Sequence, residues 1–309
     1  MKALDIRKHG SLIGLLILTI IITSMNPNFL STTNLLNVLL QVSVNALISF
    51  GMLFVILTGG IDLSVGAILA LSSAITADLI VQGYPPFVAM GAGLLCGAIF
   101  GVVNGLVITK GKIQPFIATL ATMTIFRGLT LVYTNGNPIS GLSPEETVFS
   151  FVGKGDILSI PVPVIIFLIV FTILMFVLGK TTFGRYTYAI GGNEDATKLA
   201  GINVDRVKIM IYTLSGLLAA LAGIILTSRL DSAQSTAGVG YELDAIAAVV
   251  LGGTSLAGGR GRITGTLIGI LILGVINNGL NMLDVSSFYQ NVVKGSVILL
   301  AILLDRKDK

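Results

Sequence analysis

Acid–base and metal chemistry have almost nothing to work with in this chain. It holds one histidine, His9, and one cysteine, Cys96, so neither a histidine pair for a metal or proton relay nor a disulfide framework can form. Gly179-Lys180-Thr181-Thr182 has the last residues of a phosphate-binding loop. That motif needs a glycine five residues before Gly179, and Leu174 stands there inside an apolar run. No cofactor is implied. What remains is neutral polarity within apolar stretches: Gln41, Asn45, Thr119, Thr122, Ser215, Asn277, Asn278 and Asn281. Amides and hydroxyls can trade hydrogen bonds with a neutral polyhydroxylated solute without holding it by charge. Many hydroxyls in helices bond their own backbone instead, so about a third of this set is expected to line a pathway.

The elements that must carry these residues are set by charge. Hydrophobic residues make up 54% of the 309 and charged ones only 11%, against about 25% charged in soluble domains. No Asp, Glu, Lys or Arg occurs from Gly10 to Ile61. Fifteen of the nineteen basic residues gather instead in five places: Lys2/Arg7/Lys8, Lys110/Lys112, the Lys180–Lys208 segment, Arg260/Arg262 and Arg306/Lys307/Lys309. A charge at a bilayer centre costs about 2.5–3.5 kcal/mol on insertion scales, so the uncharged runs fit hydrocarbon and the clusters mark one aqueous side. The pI near 9.2 therefore reflects membrane topology and not nucleic-acid binding.

The reading is an all-α polytopic bundle, residues 1–309 forming one domain. Ten apolar runs reach spanning length or near it: 11–25, 38–58, 63–81, 87–109, 115–133, 162–179, 209–228, 243–257, 264–283 and 288–304. With a cytoplasmic N-terminus, ten crossings place all five clusters and both termini inside. The eighth run is short and flanked by glycine, which suggests a broken helix and leaves eight crossings as the alternative. The first run lacks a small-x-small cleavage pattern at its exit, so a retained helix is preferred over a signal peptide.

Five tyrosines (Tyr84, Tyr133, Tyr212, Tyr241 and Tyr289) fall near the ends of runs, where amphipathic rings anchor. Gly93, Gly97, Gly101 and Gly105 make a smooth helix face, as do Gly261, Gly265 and Gly269; each serves packing within one subunit or a dimer seam. The outer segment 134–161, with Glu145, Glu146 and Asp156, reads as an irregular loop. Asp62 maps to an inner end, while Asp78, Arg127, Glu242, Asp244 and Lys294 map towards outer ends, either as snorkelling charges or as an outer vestibule. On this map no ionisable group sits at mid-depth. The partial match of Gly59–Gly66 to Gly252–Gly259 is too slight in glycine-rich sequence to establish a repeat.

The inner segment 180–208 carries a further pattern. Asn193 can cap a helix, Glu194 and Asp195 favour its first turn, Lys198 its last, and Gly201 its stop. Ala196, Leu199 and Ala200 share one face, while Thr197 lies off that stripe, so Thr197→Asp is expected to be milder than Leu199→Asp. Two turns are marginal alone in water, so this helix must dock, either on its own protein or on a partner.

Gly191-Gly192-Asn193-Glu194-Asp195-Ala196-Thr197-Lys198-Leu199-Ala200-Gly201-Ile202 resembles the coupling segment of permease subunits in monosaccharide-importing ABC transporters of the ribose type. The resemblance extends through Leu57–Gly66, Ser232-Ala233-Gln234, Tyr241–Leu256 and Asn277–Asn281, essentially end to end. It implies a homodimer in the bacterial cytoplasmic membrane, an extracytoplasmic sugar-binding protein that delivers the solute, and a separate ATPase subunit. It also implies that Asn193, Glu194, Asp195, Ala196, Leu199, Ala200 and Gly201 form the ATPase-coupling helix. A stand-alone secondary transporter or channel is the main rival and calls for a mid-depth ionisable site. An intramembrane enzyme has too little acid–base chemistry to draw on.

Overall fold

The computed structural model describes residues 6–142 and 148–305. The distal charges Lys2, Arg306, Lys307 and Lys309, and also Glu145 and Glu146, lie outside the described residues. Thirteen α-helices follow in order. They are α1 (Ile6–Met25), α2 (Thr32–Leu57), α3 (Val65–Val81), α4 (Pro86–Thr109), α5 (Pro115–Thr134), α6 (Val148–Lys154), α7 (Val162–Lys180), α8 (Thr182–Gly192), α9 (Glu194–Leu199), α10 (Val204–Leu230), α11 (Tyr241–Leu251), α12 (Ile263–Met282) and α13 (Ser287–Asp305). Six of them, α2, α4, α5, α7, α10 and α12, are long and apolar enough to cross a membrane.

The helix α2 is apolar over most of its surface and is buried almost throughout from Val42 to Leu57, as a helix at the centre of a bundle must be. Beside it, α10 buries Ser215, Ala219, Ala220 and Ile224. The outer helices instead expose large side chains such as Leu95, Ile99, Phe116, Ile117, Ile169 and Phe176. In water this girdle would drive association; against lipid tails it is the appropriate surface.

The glycine stripe of α4 faces α10 of the same chain. A Cβ on Gly97 would lie 2.5 Å from both the Ala220 Cβ and the Gly216 carbonyl, and one on Gly105 2.7 Å from the Ile209 Cα. Likewise Gly265 and Gly269 face Gly252 and Ala248, where α12 crosses α11. Both stripes therefore serve packing within the subunit.

Two connections dip into the bundle. After α2, Gly59 adopts φ +78° and Gly60 N–H donates to the Val55 carbonyl at 3.1 Å. After α11, Gly253 adopts φ +82° and Thr254 N–H donates to the Val249 carbonyl at 3.2 Å. The echo between these segments is thus a shared left-handed helix stop, which glycine adopts without a Cβ penalty. The chain then turns back: Asp62 reaches Ser215, which abuts Gly51, six residues or about 9 Å before the end of α2. From the opposite face the 232–240 segment descends until Gly238 meets Gly66 at the start of α3. Hence α3 and the eleven-residue α11 both begin inside the bundle, and α11 rises only about 16 Å, half a membrane core.

This geometry corrects three expectations. Asp62 is fully buried at depth and not at an inner end. Its carboxylate accepts from Ser64 Oγ (2.6 Å), Ser64 N–H (3.0 Å) and Ser215 Oγ (2.9 Å), while Asn104 Nδ2 donates to Ser64 Oγ (2.7 Å). Tyr212 is 1% exposed in the core and anchors no interface; its hydroxyl abuts Gly60. The outer segment is also more ordered than its composition suggested. Its Ile139–Ser140 strand pairs antiparallel with Ser232–Ala233, Asp156–Ile157 pairs with Ile160–Pro161, and α6 buries Phe149 while its backbone accepts from Ser228 Oγ.

The described basic clusters gather on one face. Lys110 pairs with Asp205 at 2.7 Å, Tyr188 Oη donates to the Gly261 carbonyl at 2.8 Å, and Gly259 N–H to the Leu57 carbonyl at 2.9 Å. These contacts bring the 110–112, 180–208 and 252–262 segments together.

Candidate functional site

Two places concentrate the sequence-derived candidates. The first is a cleft between α2, α11 and α12. Gln41, Asn45 and Asn277 line it together with Ser49, Asp244 and Gly274. Gln41, Asn45 and Ser49 follow one another at four-residue steps, which places them on one face of α2. The cleft opens on the bundle surface at the exposed Gln41 and narrows towards Ser49, whose side chain is fully buried. Asn45 marks the middle of α2, so the cleft reaches to about half the depth of the bundle. Ser49 Oγ and Asn277 Oδ1 are buried without a hydrogen-bond partner. Asp244 pairs with Lys294 of α13 at 3.2 Å, and the two side chains are only 13% and 22% exposed. Asp244 and Lys294 are therefore an ion pair within the bundle, and not separate charges reaching for the membrane surface.

Five other pathway candidates lie elsewhere. Thr119 Oγ1 donates to the carbonyls of Ile61 (3.1 Å) and Pro115 (2.9 Å), and Thr122 Oγ1 to that of Thr119 (3.2 Å). Ser215 serves Asp62. Asn278 exchanges amide hydrogen bonds with Asn34 at 2.9 and 3.0 Å, tying the start of α2 to the end of α12. Asn281 Oδ1 accepts from Gln290 Nε2 at 2.7 Å. These groups are satisfied by protein partners, as buried polar groups ordinarily are.

The second place is the α8–α9 segment. Asn193 Oδ1 accepts from Ala196 N–H at 2.9 Å, and Gly201 stops the helix with φ +83°. Glu194 accepts from Lys198 (2.8 Å) and Lys208 (2.6 Å), which clips α9 to the first turns of α10. Partial burial disfavours the Glu194 charge, yet the bonds and charges of Lys198 and Lys208 outweigh it and hold its carboxyl below the ordinary value. The clip is therefore in force at neutral pH and is lost only as pH falls through that lowered value. Ala196, Leu199 and Ala200 are all exposed, Leu199 at 90%. Asp195 is exposed beside them. Thr197 is the buried residue, and its hydroxyl donates to the Asn193 carbonyl at 2.7 Å; the side off the apolar stripe is the one that faces the protein. One turn earlier, Gly191 sits against the Leu57 carbonyl and Gly259 N with no room for a side chain. This segment is therefore packed directly against the end of α2 and the 252–262 loop.

Sequence reasoning missed Ser49 and Asp244 as parts of the cleft, the bond of Lys208 to Glu194 and the seat of Gly191 against Leu57. Ser49 was legible as the third step of the Gln41/Asn45 spacing. The other three depend on tertiary contacts that spacing along the chain does not give.

An all-helical bundle with six helices long enough to cross a membrane, an apolar girdle and basic residues gathered on one face is the architecture of a polytopic membrane protein. The model of the branched-chain amino acid transport system/permease component family matches residues 34–302, and the chain belongs to that family. It is 66% identical over 301 residues to the ribose import permease protein RbsC of Bacillus subtilis, covering 97% of this chain and 93% of that one. It is 56% identical to the RbsC protein of Escherichia coli K12 (98% and 94% covered) and 45% to that organism's D-allose transport system permease protein AlsC (97% and 91%). No solved structure matches it.

Proposed function

We propose that this chain is the membrane-spanning subunit of an ABC importer that carries ribose or a closely related monosaccharide across the bacterial cytoplasmic membrane. The observation that carries this reading is the 66% identity, over nearly the full length of both chains, to a protein named for ribose import. A separate ATPase subunit supplies the energy, and an extracytoplasmic binding protein delivers the sugar. Two copies act together, since paired ATPases need paired coupling helices. The cleft at Gln41, Asn45 and Asn277 lies on the pathway, and its opening on the bundle surface suits closure by a second copy. The helix Glu194–Leu199, with its cap Asn193 and stop Gly201, transmits ATPase closure, supported by the outward Leu199 and the close seat of Gly191.

The basic face is cytoplasmic in this reading, with ten crossings that include the half-length α11. A cysteine at position 195, in a Cys96→Ser background, is expected to resist an impermeant thiol reagent added to intact cells and to react in inverted vesicles. Labelling from outside would overturn the orientation.

Buried Asp62 and the Asp244–Lys294 pair supply the ionisable groups that an ion-coupled transporter would need, so the energy source calls for its own test. Liposomes holding this chain, its ATPase and the sugar-binding protein are expected to accumulate ribose only when ATP is present on the ATPase side. Uptake by the chain alone under a proton or sodium gradient would refute the reading.

A further inference from the structure

The cleft between α2, α11 and α12 contains polar groups that the protein itself leaves unanswered. Ser49 Oγ and Asn277 Oδ1 both line it, both are buried, and neither has a protein partner. Such groups are costly to bury unless something in the cleft bonds them. The Asp244 carboxylate lines the same space and is held from the α13 side by Lys294 at 3.2 Å. Its four lone-pair directions exceed what one ammonium can satisfy. The free space amounts to about 20 Å³, room for roughly one water and far less than a monosaccharide needs.

We propose that Asp244, Ser49 and Asn277 form an acceptor-rich subsite for the hydroxyl groups of a neutral sugar, kept closed by Lys294 until the helices part. The inference rests on the reading that this cleft lies on the pathway. A polyol presents several O–H donors; a carboxylate, an amide oxygen and a serine oxygen accept them. The carboxylate also repels anionic solutes such as sugar phosphates, so Asp244 discriminates by charge as well as by hydrogen bonding. Opening requires α13 to move away from α11, which breaks the Lys294 pair and frees Asp244 at the moment the sugar enters. The carboxylate is thereby hydrogen-bonded in both forms, by the lysine in the closed one and by the sugar hydroxyls in the open one.

The test uses the complete transporter in cells, with this chain bearing Val42→Cys as a reporter in the cleft and Cys96→Ser elsewhere. Labelling by a small thiol reagent is expected to be slowed by ribose. Asp244→Asn, which keeps the shape but loses the charge, is expected to reduce ribose uptake about tenfold or more and to abolish the protection. A structural clasp would instead be rescued by the exchanged pair Asp244→Lys with Lys294→Asp, which restores the ion pair but moves the carboxylate off the cleft wall. The exchanged pair is expected to restore protein abundance and not uptake. Recovery of uptake by the exchange, or normal uptake by Asp244→Asn, overturns the subsite while leaving the pathway standing. If ribose has no effect on labelling and the fully labelled protein transports normally, the cleft is off the pathway and the underlying reading fails with it.

Discussion

Leu199→Asp is expected to abolish ribose uptake and co-purification of the ATPase while leaving the amount of membrane-inserted protein unchanged. Leu199 is 90% exposed at the end of a six-residue helix and is flanked by exposed Ala196 and Ala200. No contact inside the subunit depends on it, so the fold has little to lose. A partner groove that receives the leucine would instead receive a carboxylate, and burying an unpaired charge costs several kcal/mol. That is enough to reduce a protein–protein affinity by more than a hundredfold. Leu199→Met, which retains apolar volume, is expected to keep most of the uptake. Thr197→Asp should also fail, by a different route: Thr197 is 5% exposed and faces its own protein, so the charge would loosen the α9 clip and lower thermal stability. Uptake and pull-down of the ATPase, read beside the melting temperature of the purified chain, separate the two failures. Normal transport by Leu199→Asp would remove α9 from the transmission.

The helical course of the chain was legible in its sequence because hydrocarbon imposes a severe filter. Each of the ten apolar runs contains or overlaps a helix, and the suspicion that run 243–257 is broken matches the short α11. The helix Glu194–Leu199 was equally legible: Asn193, Glu194, Lys198 and Gly201 occupy their cap, first-turn, last-turn and stop positions as local propensity dictates. What escaped the sequence depends on where a chain goes after a helix stops. Asp62 follows α2 by only five residues, so counting along the chain put it at the membrane surface. The turn at Gly59 sends it back to Ser215 instead. Asp244 was misplaced for the same reason, because the 232–240 segment descends before α11 begins. Hydropathy counts crossings and takes no account of re-entry.

Of the pathway candidates, Gln41, Asn45 and Asn277 share one cleft, whereas Asn278 and Asn281, their near neighbours, bond to Asn34 and Gln290. For Asn278 the distinction is the face of α12 it occupies, whereas Asn281 shares the face of Asn277 but lies one turn further on, where Gln290 takes its oxygen. Asn277 and Asn278 are about 100° apart around the helix, and only the partner helices determine which direction is cleft and which is clasp.

The glycine stripe of α4 predicts the largest effect on folding. Gly101→Leu is expected to eliminate most of the folded protein, and Gly101→Ala to lower its melting temperature clearly. A Cβ at Gly101 would collide with the Tyr212 carbonyl and lie 2.7 Å from the Thr213 Cα. Those are backbone atoms of α10, which cannot rotate aside as a side chain tip does. Overpacking a filled core commonly costs 1–3 kcal/mol or more, and here relief requires separating α4 from α10, the seam that also seats Gly97 and Gly105. Gly128 on α5 provides the control, since it is exposed and has nothing within 4 Å of a would-be Cβ; Gly128→Leu should fold as the parent does. The measurement is the fraction of each variant that stays monodisperse in detergent after heating. A dimer seam at the stripe makes a different forecast, in which Gly101→Leu folds as a stable monomer. That outcome would contradict the placement of Gly101 against Tyr212, because one helix face cannot pack against α10 and against a second copy at once.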